Sequence, residues 1–185
     1  MGFGAVPINC SLLGKRIVEL VRAKNLPGSG DHGKWTNAVY EVLGNIGREQ
    51  GFEVIHEPRP GLSIEGTQAS EFLLDLIWRS AGGIELGAEV EWGTTSDVLY
   101  DFQKLVNVKA PLKVLVYWAS RTRDDGKGVR DGIESYMGTH KKHIHGEEYL
   151  LVEFGTKGVD RCYRCTVTEH NVTSALSLLG PSSTS

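Results

Sequence analysis

Two short apolar segments, FLLDLIW over residues 72–78 and IELGAEVEW over residues 84–92, carry carboxylates among their hydrophobic residues, and nothing else in the chain restricts its folding more. Read with a period of two, they are adjacent strands. In the first, Leu73, Asp75 and Ile77 share one face, while Phe72, Leu74, Leu76 and Trp78 line the other. Asp75 then stands mid-strand, where a charge is costly unless something pairs with it. In the second, Ile84, Leu86, Ala88, Val90 and Trp92 fall on one face, which leaves Glu89 and Glu91 together on the opposite one. If the strands pair with those faces aligned, three acids converge.

Convergent carboxylates raise one another's pKa and stay charged at neutral pH only beside a cation. Neither segment contains a basic residue. A hard divalent ion such as Mg2+ or Mn2+, which prefers oxygen ligands and keeps several waters, would satisfy the cluster and leave room for a substrate phosphate. The alternative is that Glu89 and Glu91 line a solvated strand face and Asp75 caps a bulge.

The flanking pattern is ordered. Trp35, Ala38, Val39, Val42, Leu43 and Ile46 recur at the spacing of one helical face, and Gly51 ends the pattern before Phe52, Val54 and Ile55 begin a strand. Downstream, Ser96 or Asp97 is placed to cap a helix whose core face is Val98, Leu99, Phe102, Leu105 and Val106. The run KVLVYWA from Lys113 then reads as a buried strand.

From Trp35 to Trp118 this arrangement resembles the PD-(D/E)XK nuclease superfamily, the restriction-endonuclease-like fold. Its signature is a helix, a hairpin or meander carrying an acid, a strand carrying acid-x-Lys, then a helix and a further strand. Asp75 matches the first acid and Glu89-Val90-Glu91 the second motif. The chain departs from the pattern at Glu91, which stands where the family usually has lysine, although some members carry Glu-x-Glu there. The resemblance implies an α/β fold with a central mixed β-sheet flanked by helices. It implies a metal-dependent nuclease that hydrolyses DNA phosphodiester bonds, with Asp75, Glu89 and Glu91 as metal ligands. It also implies catalytic roles for Glu91, for a relocated lysine at Lys104, and for Glu41 on the first helix. At about 100° per residue Lys104 projects nearly opposite its helix's apolar stripe, with Asp101 and Gln103 on the flanks, so Gln103 competes with it. A solvated Glu41 is the ordinary alternative. Two other functions stay open: a non-catalytic nucleic-acid-binding or assembly module on the same fold, and a zinc-stabilised interaction domain.

The chain has 185 residues, enough for one compact core. We read residues 1–33 as an N-terminal helical extension and 34–120 as the nuclease-like core. Residues 121–179 read as a C-terminal helix and hairpin, and 180–185 as a disordered tail. Ser11 to Lys24, with Leu12, Leu13, Ile17, Leu20 and Val21, has the pattern of an amphipathic helix that either packs on its own core or offers interface material for a homodimer. The loop NLPGSGDHGK follows it. Val129, Ile133, Tyr136, Met137 and His140 mark another helix, and EEYLLVEF and DRCYRCTVT a final hairpin. Formal net charge is -3, yet basic residues gather in RTRDDGKGVR, with Arg121, Arg123, Lys127 and Arg130, and in HKKHIH from His140 to His145. Either could meet phosphates or be a solvated loop or helix end. His143, His145, Cys162 and Cys165 form a rival tetrahedral zinc set, but a Cys-x-x-Cys inside a strand points its thiols to opposite faces. An odd cysteine count, no membrane-length apolar run and no basic-then-apolar start lead us to expect a cytoplasmic protein without a membrane partner.

Overall fold

A computed structural model describes residues 9–26, 31–62, 66–68, 73–119, 122, 124–155, 160–168, 171–172 and 176–179. Helices α1 (Cys10–Ala23) and α2 (His32–Glu49) precede β1 (Glu53–His56), β2 (Thr67–Gln68), β3 (Leu76–Ser80) and β4 (Gly83–Glu91). Then come α3 (Thr95–Asn107), β5 (Leu112–Trp118), α4 (Lys127–Thr139), β6 (Glu148–Phe154), β7 (Arg161–Thr168), β8 (Asn171–Val172) and β9 (Ser177–Leu179). The strands form one mixed sheet in the order β2-β1-β3-β4-β5-β6-β7-β8, and β9 pairs with β7 as well. β1, β3 and β4 run as an antiparallel meander, β4, β5 and β6 are parallel, and β7 returns antiparallel to β6. The chain is therefore α/β, with helices on both sides of a mixed sheet.

Side-chain alternation in the strands feeds two cores. Leu76, Trp78, Leu86, Ala88, Val90, Val114, Val116, Leu150 and Val152 pack beneath α1 and α2, where Trp35 meets Trp92 and Phe154 edge to face and Trp118 at a tilt. Ile77, Leu115, Tyr117, Tyr149 and Leu151 face the other way, under Val98, Phe102, Leu105 and Val106 of α3 and Val129, Ile133 and Met137 of α4. The expected motif helix is α2, with its six predicted apolar residues all buried. Its start lies inside the expected connecting loop, because Asp31 caps it by accepting from the Lys34 N–H at 3.2 Å. The predicted strand at KVLVYWA and the final hairpin are present as β5 and as β6 with β7.

Four local expectations are corrected. The first acidic segment is not a strand throughout: residues 73–75 bend, Leu73 is 76% exposed, and Leu74 packs with Ile77 on the α3 side. Ile84 leaves the face of Leu86 because the β3–β4 register shifts at Trp78/Arg79. Thr94, rather than Ser96 or Asp97, is the N-cap of α3, and the Asp97 carboxylate accepts from the Thr94 N–H at 2.8 Å. Finally, the buried stripe of α1 omits two of the apolar residues predicted for it. Leu13, Ile17 and Val21 enter the core while Leu12 and Leu20 stay exposed, since positions four apart make a stripe narrower than the one predicted. The 180–185 tail lies outside the described residues.

Candidate functional site

The parallel strands end at a common edge, and ligands of open α/β sheets bind beyond such carboxyl ends. Glu89 stands two residues before the end of β4 and turns its side chain toward α3. Asp75 sits beside it. It immediately precedes β3, whose first residue, Leu76, pairs with Ala88 of β4, and its carbonyl accepts from the Glu57 N–H at 3.0 Å. Its side chain is fixed from β4: Oδ2 accepts from the Val90 N–H at 2.8 Å. The Leu74 side chain packs over Gly87 of β4, where a Cβ would lie 2.6 Å from Leu74 Cδ1 and oblige that methyl group to shift.

Glu89 is the most unusual side chain of the site. It is wholly inaccessible to solvent, and neither carboxylate oxygen has an aligned hydrogen-bond donor. Its ion-pair partner among the described residues is Lys104, whose Nζ lies 2.9 Å from Oε1 and 2.8 Å from Asp101 Oδ1. Lys104 thus reaches the site although its helical angle predicted otherwise. The long aliphatic stem carries the ammonium around the helix, and only 23% of the side chain stays exposed. Gln103, its predicted competitor, is exposed.

Electrostatics follow from this crowding. Burial pushes Asp75 up to about 6, partly offset by the Val90 N–H. Burial and then the Asp75 charge push Glu89 up to about 9. Burial opposes the Lys104 charge, but the contacts with Asp101 and Glu89 prevail and hold its pKa above the ordinary value. Burial also raises Glu91, against the N–H of Gly93. That bond ties Glu91 into the β4–α3 turn, where a Cβ on Gly93 would fall 2.8 Å from Glu91 Oε1. Asp75, Glu89, Asp101 and Lys104 therefore form the site, with Glu91 at its edge.

Glu41 does not join them. It pairs with Lys24 of α1 at 2.6 Å, on the helix that covers the opposite sheet face. Asp101, only 8% exposed, is the residue that sequence reasoning passed over as a flank of the stripe. Its signal was an acid three residues before the candidate lysine. Tyr40 was missed as well: it is buried on α2, donates to Glu57 Oε1 at 3.1 Å and feels the Asp75 charge.

The donors are carboxylate oxygens, the class that Mg2+ and Mn2+ take, and the unbonded Glu89 oxygen is an orphaned buried acceptor of the kind an ion satisfies. In that chemical sense the residues fit a divalent ion. Among the described residues no group of three or more His, Cys, Asp or Glu side chains gathers closely enough to hold one, and the Lys104 ammonium occupies the space between Glu89 and Asp101.

The other predicted sites separate. Cys162 packs under α1 and α2 and Cys165 under α3 and α4, so the two thiols cannot share one zinc ion. Burial pushes Cys162 up to about 12, which opposes the thiolate that zinc needs. His143 is engaged at both ring nitrogens, by Glu147 Oε1 at 2.8 Å and the Met137 carbonyl at 3.2 Å. The basic run from His140 to His145 leads into the amino end of β6, the end of the parallel strands opposite Glu89. In the other basic run, Arg121 and Arg123 lie outside the described residues, and Lys127 and Arg130 belong to α4. Lys127 pairs with Asp131, and Arg130 and Arg161 grip the fully buried Glu153.

Among the described residues no helix is long and apolar enough to cross a membrane. Comparison of the chain with protein-family models, curated proteins and solved structures finds no match.

Proposed function

We propose that this protein is a divalent-metal-dependent nuclease of the restriction-endonuclease-like type that hydrolyses DNA phosphodiester bonds. The observation that carries the reading is Glu89: a fully buried carboxylate with no aligned donor, beside Asp75 at the carboxyl end of β4 and beneath a lysine from the following helix. The element order lends support. Helix α2, the meander β1-β3-β4, helix α3 and the parallel strand β5 run in the sequence that the resemblance implies.

Asp75 and Glu89 would hold the ion, with Glu91 at the rim. When bound, it would polarise the scissile phosphate and lower the pKa of the attacking water. Val90 orients Asp75 through its N–H, so that Asp75 needs no rearrangement to present its second oxygen. The Lys104 ammonium, held by Asp101, can donate to a phosphate oxygen or to the nucleophilic water. Duplex cleavage by a domain with one such site calls for two copies about a two-fold axis, and hence for a homodimer that light scattering would register.

A second reading rests on Lys104 itself. Because it already neutralises part of the acid cluster, the fold could serve as a binding module without chemistry. Incubation of supercoiled and linear DNA with the protein in Mg2+, in Mn2+ and in excess chelator decides between them. We expect cleavage only with the ions, and its loss in Asp75→Asn with the fold retained. Cleavage that survives both chelation and the substitution would remove the nuclease reading. Ion binding without cleavage would favour the binding module.

A further inference from the structure

We propose that the Lys104 ammonium and a divalent cation are alternative occupants of the Asp75/Glu89 pocket, and that α3 carries a second seat, built from Asp101 and Tyr100, onto which the ammonium withdraws when the ion enters. This rests on the metal-dependent reading above and adds to it a conformational exchange that the chain's own residues perform.

Two observations combine with one principle. The ammonium stands at ion-pair distance from Glu89, a fully buried carboxylate with no aligned hydrogen-bond donor. A lysine and a divalent ion at one carboxylate pair repel each other, and in a site closed to solvent that repulsion is little screened. The departing ammonium need not be left bare. Asp101, three residues earlier on the same helix, already holds it at 2.8 Å, and the Tyr100 ring lies 5.9 Å from Nζ and is 66% exposed, toward water. An outward rotation of the lysine stem would therefore keep one carboxylate and one aromatic face while giving up Glu89.

The test compares Mn2+ affinity, measured by electron paramagnetic resonance of the free ion, in the native chain, Lys104→Met and Lys104→Gln, together with the crystal structure of the native chain soaked in Mn2+. Two neutral variants guard against one that fails to fold. We expect both to bind Mn2+ at least about tenfold more tightly, as loss of a unit charge a few ångströms away dictates. We also expect the Mn2+-bound crystal to show Nζ off Glu89 and still on Asp101. Unchanged affinity in the folded variants, or an ion seated with Nζ still at Glu89, overturns the exchange and leaves the metal-dependent reading standing. No Mn2+ binding by any of the three proteins, or a native crystal whose Mn2+ lies away from Asp75 and Glu89, overturns both.

Discussion

At the scale of single residues, Glu89 is unusual for what burial does to it. Its carboxyl moves from 4.5 to about 9, and that of Asp75 from 3.8 to about 6. Both folded values stand above the unfolded ones, so the stability they confer is complete below the unfolded pKa and is lost as pH rises through the folded pKa. The ion-free protein should therefore melt at progressively lower temperature from roughly pH 5 to pH 9, and added Mg2+ should flatten that slope. Glu89→Gln removes the larger contribution. In calorimetric scans without divalent ions we expect it to raise stability at alkaline pH by on the order of 2 kcal/mol, roughly 4–8 °C in a chain this long. A parallel pH slope in the variant would mean that Glu89 is not the titrating group. For ion binding the order reverses. Titration with Mn2+ should find Glu89→Gln more damaging than Glu91→Gln, because Glu91 is already satisfied within its own turn. Equal losses would mean that both acids touch the ion.

At the scale of elements, the site depends on how β3 begins. Leu74 fills the space that Gly87 leaves open on β4, and Asp75 beside it meets the Val90 N–H. Gly87→Ala would put a methyl group 2.6 Å from Leu74 Cδ1. We expect a loss of about 1–3 kcal/mol in urea denaturation, as for overpacking in other cores. Leu74→Ala in the same chain should recover part of it. A double variant no more stable than Gly87→Ala alone would show that the contact is not the cause. Element α1 makes a separate point. Its Leu13, Ile17 and Val21 stripe joins the core beside α2 and the strands β6 and β7, so a chain begun near residue 30 should lose its cooperative melting transition. A truncated chain that melts as the native one does would return α1 to the status of an appendage.

At the scale of the whole molecule, the sheet divides its charged groups between two ends. The acid cluster lies at the carboxyl end of the parallel strands, while Lys113, Glu147 and His143 form a buried network at the other. Lys113 sits inside an otherwise apolar strand and donates to Glu147 Oε2 at 2.6 Å and to the Tyr149 hydroxyl at 3.0 Å. Lys113→Met would leave Glu147 buried with its cation lost. We expect a cost of about 3–5 kcal/mol in chemical denaturation, larger than that of the double change Lys113→Met with Glu147→Gln. A single variant as stable as the double one would show that His143 and Tyr149 suffice for the carboxylate.

Local pattern by itself determined much of this protein. Periodicity located α2, α3, α4, β5 and the β6–β7 hairpin, because each buries a face whose spacing is written in consecutive residues. The same alternation put Glu89 on the face opposite Leu86, Ala88 and Val90, where it lies. What the tertiary structure alone decided concerns neighbours distant in the chain. That Lys104 reaches Glu89, that Asp101 completes the group and that Glu41 turns instead to Lys24 depend on how α1, α2 and α3 lie on the sheet, and helical angle cannot report that for a side chain long enough to curl around its helix. The bend before Asp75 was hidden for a related reason. Leu74 packs over Gly87 on the next strand, a contact between strands that no residue of the bending segment marks.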